Sequence, residues 1–245
     1  MSRPFKPLWF LLFSCLLTAG LESAATGQAA NCTPAPAGMV GWWQEEGNAL
    51  DSISGSNGVV EAGAGFAVGI VGQGFSFDGI SGCVLNDDTP SLTSIQNSFT
   101  MEFWAYPQKA TVLYPVDPGA LYNGGGLQLA IFPEFGGSGG PAGAGVSVGT
   151  NGISVFEHAG DYLPCLLDYT NSLSGWVHVA VVYSNKQPSL YVNGVNVATG
   201  VPSPRSFVYP SKGFGGSTAS PWNTYGQPFR KVGGVSFGTF VSLSR

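Results

Sequence analysis

Charge is scarce in this sequence: Asp, Glu, Lys and Arg together make up 9% of its 245 residues, against roughly 25% in an ordinary soluble protein. The few Lys and Arg residues form no basic stripe. Since phosphate neutralisation needs clustered cations, this absence excludes a nucleic-acid partner. Acidic residues cluster only as the pairs Glu45-Glu46 and Asp87-Asp88, too few for an acidic tail.

Two other common signals are missing, namely Cys-x-x-Cys spacing and a sustained apolar period of 3.6 residues. Their absence argues against a zinc site and against amphipathic helices. In contrast, the sequence is rich in turn formers, with 37 Gly and 17 Pro. A chain of this length commonly forms one all-β sandwich or barrel.

One apolar run is long, and it lies at the N-terminus from Leu8 to about Gly20, preceded by basic and followed by small residues. It is too short for a comfortable membrane span of about 20 residues. We therefore predict a secretory signal peptide over residues 1–29, cleaved near Ala25 or Ala29, with no membrane span after its removal. The mature protein is expected to be secreted, in the extracellular space or at the cell surface.

Export changes the interpretation of the cysteines. Cys15 leaves with the signal peptide, so the mature chain keeps Cys32, Cys83 and Cys165 as disulfide candidates. In an oxidising compartment one pair can bond and one thiol remains, and the three possible pairings stay open.

Short segments rich in Val, Phe, Tyr and Trp recur between clusters of Gly, Pro, Ser and Asn, which is typical of strands. The stretch "FTMEFWAY" alternates apolar and polar residues, as a half-buried strand does. Antiparallel strands without helices predict a two-sheet β-sandwich with apolar inner faces. The predicted strands are Val40 to Gln44, Gly74 to Asp78, Phe99 to Tyr106, Leu127 to Phe132, Gly145 to Gly149 and Ile153 to Glu157.

Turn residues predict two hairpins. Asn193-Gly194 in "SLYVNGVNVA" favours a type I′ turn, and "VSVGTNGISVF" reads as a second hairpin. Two glycine-rich stretches, Gly124 to Gly126 and Gly136 to Gly145, are expected to be flexible loops that join strands. The second lacks the strand-to-helix context that a dinucleotide-binding loop requires.

Three stretches occur in a specific order: "CTPAPAGMVGWWQEEGNALDSISGSNG", then "GQGFSFDGISGCVLNDDTPSLTSIQNSFTMEFWAYP", then "WVHVAVVYSNKQPSLYVNGVNVATG". In this order the chain resembles the laminin-G-like, concanavalin A-like jelly-roll domains of secreted bacterial proteins. The resemblance implies a single jelly-roll domain over 32–245 that serves as a binding or adhesion module. The usual closing strand of the family carries an acidic pair. Because "KVGGVSFGTFVSLSR" lacks it, we expect an atypical or truncated closing strand.

The two histidines are interpreted as structural. His178, at the centre of "WVHVAVVY", has no nucleophile or carboxylate in a local motif, so we expect a buried imidazole that ties adjacent strands together. His158 lies between Glu157 and Asp161, but neighbours on a strand face opposite sides. We expect this segment to be an ordinary strand end and turn with solvated polar residues.

Glycanases place two carboxylates on the same sugar bond, and the alternate spacing that this needs on one strand is absent here. We therefore expect no enzymatic activity, and a polysaccharide hydrolase using Glu102 or Glu157 is the minor alternative. Calcium is the one cofactor considered. Asp51 and Asn57 in "DSISGSNG" offer oxygen ligands in a loop where resembling domains often hold calcium, although the same residues also suit a simple turn.

Trp42, Trp43, Trp104 and Trp176 lie on predicted strands, where core packing is the expected role. Trp222 and Tyr225, in the irregular "ASPWNTYG", are the candidate ligand-binding aromatics. The sequence thus predicts a secreted, non-catalytic module that recognises an extracellular glycan or protein through loops of a β-sandwich. A spacer or remnant of a larger surface protein is the alternative from the structural class.

Overall fold

The fold is all-β, as predicted. The computed structural model describes residues 35–61, 63–78, 82–86, 92–122, 125–137 and 140–215, together with the backbone of 241–244. The strands in chain order are β1 Met39–Trp43, β2 Gly58–Val60, β3 Ala64–Val68, β4 Gln73–Phe77, β5 Val84–Asn86, β6 Phe99–Ala105, β7 Leu129–Phe132, β8 Ala142–Gly149, β9 Gly152–His158, β10 Cys165–Thr170, β11 Val177–Ser184, β12 Gln187–Val192, β13 Val195–Thr199, β14 Val208–Pro210, β15 Gly213–Phe214 and β16 Val241–Ser244. A short 3-10 turn, Leu92–Ser94, precedes β6. In the part of the chain just given, no helix has the length and hydropathy that a bilayer crossing requires.

A six-stranded antiparallel sheet runs in the order β1-β16-β6-β11-β12-β13. On β6 the burial alternates strictly, with Phe99, Met101 and Phe103 in the core, which confirms the strand predicted from "FTMEFWAY". The backbone of Val241–Ser244 pairs with both β1 and β6. The segment from which an atypical or truncated closing strand was expected therefore supplies a strand to this sheet.

The second sheet follows the order β10-β9-β8-β7-β15-β5-β2, and β14 adds a parallel pairing to β8. Every residue of β8 and β9 is buried. On the side of β8 that faces away from the core, glycines allow a covering segment to approach the strand closely enough to bury it. A Cβ at Gly143 would lie 2.4 Å from the Glu134 carbonyl oxygen, and one at Gly145 would lie 2.5 Å from the backbone of Pro133. The loop before β8 therefore packs directly on the strand, and Ala142 to Gly145 is strand rather than the predicted loop.

The main core lies between the two sheets and is rich in aromatic rings. Trp43 of β1 makes an edge contact with Phe214, with ring centroids 5.0 Å apart, and Phe75 stacks on Phe214 at 5.8 Å. Trp43 also donates its indole N–H to the Ser56 carbonyl at 2.9 Å. These contacts join the first strand, the β3–β4 hairpin and a late strand, so the core links distant parts of the chain.

Both predicted hairpins form. Asn193 and Gly194 have φ values of 49° and 79°, as the type I′ turn between β12 and β13 requires. Thr150 and Asn151 connect β8 to β9, and the Asn151 side chain bonds both the N–H and the carbonyl of Thr111, at 2.9 and 3.0 Å. This second turn therefore also fixes a covering loop onto the larger sheet.

Candidate binding face

The outer side of the six-stranded sheet presents half-exposed aromatic and polar side chains. Because successive side chains of a strand point to opposite sides, the residues of β6 that alternate with the core face solvent. The same alternation holds on β12, and on β11 it is interrupted only at Ala180, which is buried. We call this surface the aromatic face, and it comprises Thr100, Glu102, Trp104, Tyr106, Trp176, His178, Ala180, Val182, Ser189 and Tyr191.

Four rings form the apolar part of the aromatic face. Trp104 is opposite His178 across the β6–β11 ladder, and their ring centroids are 5.1 Å apart. Beside them Tyr106, which is 38% exposed, makes an edge contact with Trp176 at 5.5 Å. Rings that already pack on one another lose little further freedom when a ligand binds. The pairs therefore form a preorganised platform.

The centre of the aromatic face is polar. Glu102, Ala180 and Tyr191 are cross-strand neighbours on β6, β11 and β12. The methyl group of Ala180 leaves a low point between the carboxylate and the phenol. Within the described strands of this sheet there is no second carboxylate and no Lys or Arg. The face thus offers hydrogen-bonding groups to a neutral polar ligand and no fixed cation to an anionic one.

The structure corrects the expectation for His178. Its imidazole is half-buried on the outer side against Trp104 and is not a buried tie between strands. The bonds to the neighbouring segment come from its backbone: the N–H donates to Asn193 Oδ1 and the carbonyl accepts from the Asn193 N–H, both at 2.9 Å. These bonds hold the β12–β13 turn against β11 and leave the imidazole at the surface.

Glu157 lies on the core side of β9 and is completely buried, which corrects the expectation of a solvated strand end. Its carboxyl group accepts hydrogen bonds from the hydroxyls of Tyr162, Tyr183 and Ser203. Burial raises the pKa of Glu157 from 4.5 to about 7, although these bonds and nearby Arg205 act in the opposite direction. Tyr183 belongs to the other sheet, so Glu157 bridges the two layers.

His158 faces the opposite side of β9 from Glu157, as predicted, but it too is buried. Its Nδ1 lies 3.0 Å from the Pro133 carbonyl oxygen, and Phe135 makes an edge contact with its ring. Burial lowers the pKa of His158 from 6.5 to about 4, so the ring is neutral near pH 7. Asp161 is exposed in the following turn. Glu157, His158 and Asp161 therefore do not form a common site.

The Asp51 carboxylate organises its own loop. It accepts hydrogen bonds from four backbone N–H groups, among them those of Trp42 and Ser56, at 2.8–3.2 Å, and from the Ser54 hydroxyl. Asn57 Oδ1 accepts from the Asp51 N–H at 3.0 Å. Among the described residues no three His, Cys, Asp or Glu side chains group as metal ligands do. A calcium role for Asp51 and Asn57 stays a prediction, and it would require these donors to turn away.

The chain matches one protein-family model and several solved structures. A family model described as the concanavalin A-like lectin/glucanases superfamily matches residues 78–230. The chain belongs to this superfamily. No curated protein matches it in sequence.

Several solved structures share the fold at low identity. Domain 4 of AbnA, a GH43 extracellular arabinanase from Geobacillus stearothermophilus in complex with arabinotriose, has a TM-score of 0.55 and 13% identity, over 84% of this chain and 92% of that chain. Trypanosoma rangeli sialidase in complex with 2,3-difluorosialic acid has a TM-score of 0.53 and 17% identity, over 86% of this chain but 31% of that chain. The binding domain of botulinum neurotoxin DC in complex with SialylT has a TM-score of 0.50 and 12% identity, over 85% and 48%. The chain therefore matches only part of the last two.

The superfamily includes both lectins and glucanases, so the spacing of carboxylates on a surface bears on whether that surface could hydrolyse a glycan. Glycoside hydrolysis generally uses two carboxyl groups, roughly 5 to 9.5 Å apart, on either side of the sugar bond. On the aromatic face, Glu102 is the single carboxylate that the described strands supply. Glu157, the other hydrolase candidate, is sealed in the interior. The described strands of this sheet therefore do not place two carboxylates on the aromatic face.

Sequence reasoning missed the main residues of this face. Of the four strand tryptophans expected in the core, Trp43 is fully buried, whereas Trp42, Trp104 and Trp176 are only half-buried. The signal was present, since Trp104 alternates in phase with Glu102. In addition, two adjacent tryptophans on one strand cannot both face the core.

Three candidates lie outside the described residues: the ligand-binding pair Trp222 and Tyr225, and Cys32. Cys83 and Cys165 are buried free thiols, so the structure has no bond between them. Burial raises the pKa of the Cys83 thiol to about 11 and that of Cys165 to about 12, which keeps both protonated. The ligand-binding role and any pairing of Cys32 stay predictions.

Proposed function

We propose that this protein is a non-catalytic glycan-binding module whose ligand lies on the aromatic face. The observation that carries the proposal is the set of four packed rings, Tyr106, Trp176, Trp104 and His178, beside the polar row of Glu102 and Tyr191. Ligand sites typically combine aromatic walls with a few placed polar groups. A sugar ring has an apolar face and a polar rim, so it matches both halves of this surface.

The charge of the face sets the glycan class. With one carboxylate and no Lys or Arg on the described strands of the sheet, the face lacks the paired cation that an acidic sugar needs. Neutral glycans are therefore the preferred ligands. The arabinanase domain in complex with arabinotriose supports a module of this kind, because it shares the fold over most of both chains. The setting outside the cell rests on the leader predicted over residues 1–29.

A binding titration with neutral oligosaccharides, followed by tryptophan fluorescence or calorimetry, tests the proposal. The variant Trp104→Ala should weaken binding at least about ten-fold, because aromatic groups at the centre of an interface carry much of its affinity. Phe135→Ala is the matched control, since Phe135 is 47% exposed but belongs to the other side of the molecule, against His158.

Two results would contradict the proposal: unchanged affinity in the Trp104→Ala variant, or no binding up to roughly millimolar ligand, the weak end of specific recognition. Turnover of a polysaccharide that Glu102→Gln abolishes would favour the hydrolase alternative instead. Binding of a matrix protein, but of no glycan, through Trp104 would assign the same face to a protein ligand.

A further inference from the structure

Lys212 places a buried amino group beside the loop that Asp51 organises. Lysine is almost never fully buried unless it is paired, yet Lys212 is only 1% exposed. Its Nζ donates to the Ser56 hydroxyl at 3.0 Å, and the Ser56 N–H donates to Asp51 Oδ2 at 3.1 Å. Ser56, which is fully buried, therefore connects the lysine to the carboxylate.

The backbone of Lys212 is held on both sides. Its N–H donates to Glu134 Oε1 at 3.1 Å, and its carbonyl accepts a hydrogen bond from the Asn86 side chain. Lys212 directly precedes β15, whose Phe214 lies in the core. Because these contacts fix the start of the side chain, the amino group is held at the Asp51 loop and joins a late strand to the first part of the fold.

The lone pairs of the Asp51 carboxylate are already used. A carboxylate has about four lone-pair sites, and four backbone N–H groups donate to this one, two to each oxygen. Asn57 Oδ1 accepts from the Asp51 N–H at 3.0 Å. The Ser56 carbonyl accepts from the Trp43 indole at 2.9 Å. These oxygens of the loop therefore face N–H donors.

Calcium does not fit this donor set. It takes about six to eight oxygen ligands, whereas the side-chain oxygens of Asp51 and Asn57 are engaged with N–H groups. The Lys212 ammonium group at the Ser56 hydroxyl adds a like charge, and like charges repel most strongly where water is excluded. A calcium ion would have to displace the backbone donors and the lysine.

We infer that Lys212 closes the Asp51 loop in place of a metal ion, so that the fold needs no calcium. The positive charge that offsets the Asp51 carboxylate comes from the chain itself, through Ser56, and not from solution. Resembling domains often hold calcium in this loop, so the inference separates this protein from those domains. It does not depend on the glycan-binding function, because its tests measure the stability of the fold.

Thermal unfolding with excess calcium and then with excess chelator is the first test. The protein is used from residue 30, without the predicted leader, since a compact unit begins at Ala35. A ligand that binds only the folded state raises the melting temperature, so the parent should melt at the same temperature in both conditions. A calcium-dependent rise that the Asp51→Asn variant abolishes would overturn the inference.

Lys212→Met tests the lysine directly, because it keeps an unbranched apolar side chain and removes the N–H donors. The melting temperature should fall by at least about 5 °C, with or without calcium, since the buried Ser56 hydroxyl and Asp51 carboxylate lose their cation. Lys109→Met is the matched control, because Lys109 is exposed, and it should melt like the parent. An unchanged melting temperature in Lys212→Met, or an equal fall in Lys109→Met, would contradict the inference.

Ser56→Ala removes the same contact by deleting one hydroxyl, so it remains informative if Lys212→Met does not fold. Its melting temperature should fall by about 2 to 4 °C, and the absence of any fall would count against the inference. The double variant Ser56→Ala/Lys212→Met should melt close to Lys212→Met alone, because both changes remove one shared contact. Losses that add in the double variant would show that Lys212 acts elsewhere than on the Asp51 loop.

Discussion

The described strands of each sheet carry one glutamate and one of the two histidines of the chain, but the two pairs lie in different environments. Glu102 and His178 lie on the solvent side of the six-stranded sheet, where the strands alternate between core and surface. Glu157 and His158 lie on β9, where every residue is buried. Glu157 points into the interior between the two sheets, against Tyr183 and Ser203, whereas His158 is covered on the outer side of β9 by the segment that contains Pro133 and Phe135.

Burial acts on the two members of the sealed pair, Glu157 and His158, in opposite directions. It raises the pKa of the acid to about 7 and lowers that of the base to about 4, because a low-dielectric surrounding favours the neutral form of each. Between these two values neither side chain carries a charge. Glutamate and histidine suggest acid–base or metal chemistry in a sequence, but here both are part of an uncharged interior.

Removal of Glu157 is the strongest test of this contrast. Glu157→Ala leaves the hydroxyls of Tyr162, Tyr183 and Ser203 without their shared acceptor in the interior. At about pH 5.5, where Glu157 is protonated, we expect the free energy of unfolding to fall by about 3 to 5 kcal/mol. Glu102→Ala, on the open sheet, should cost under about 1 kcal/mol. Denaturant unfolding of both variants measures the difference, and equal costs would break the contrast.

The pH dependence of stability is the next test. The raised pKa of Glu157 gives stability that is complete below pH 4.5 and is lost as the pH rises to about 7. The lowered pKa of His158 gives stability that is complete above pH 6.5 and is lost as the pH falls to about 4. Between pH 4.5 and 6.5 the two slopes cancel, so these groups together leave the parent nearly insensitive to pH.

Single variants should reveal the two slopes. Glu157→Gln should become more stable by about 3 kcal/mol as the pH rises from 4 to 7, since each pKa unit is worth about 1.4 kcal/mol. His158→Asn, which can still donate to the Pro133 carbonyl, should lose about as much as the pH rises from 4.5 to 7. Urea unfolding across this pH range measures both. Slopes of the same sign would show that the two residues are not sealed alike.

Structural features that depend on a few neighbouring residues could be predicted from the sequence, whereas features that depend on distant segments could not. The period of two in "FTMEFWAY" and the Asn193-Gly194 turn are properties of a few residues, and both are confirmed. The burial of Glu157 and His158 could not be read in the same way, because loops distant in sequence cover β9. The aromatic face is intermediate: Trp104 alternates in phase with Glu102, but its contact with His178 depends on the register of β6 against β11.

The smallest expected effect on stability is that of a substitution at His178, which lies on the exposed side of the six-stranded sheet. It tests the same contrast with the buried pair Glu157 and His158. His178→Ala removes a half-exposed ring and its contact with Trp104, while its backbone bonds to Asn193 remain. We expect a loss in unfolding free energy of about 0.5 to 1 kcal/mol. Because the ring is part of the proposed platform, affinity for a neutral oligosaccharide should fall a few-fold in the same variant. Unfolding and glycan titration on one preparation separate the two effects. A stability loss as large as that of Glu157→Ala, with unchanged glycan affinity, would place His178 with the sealed pair and remove it from the binding face.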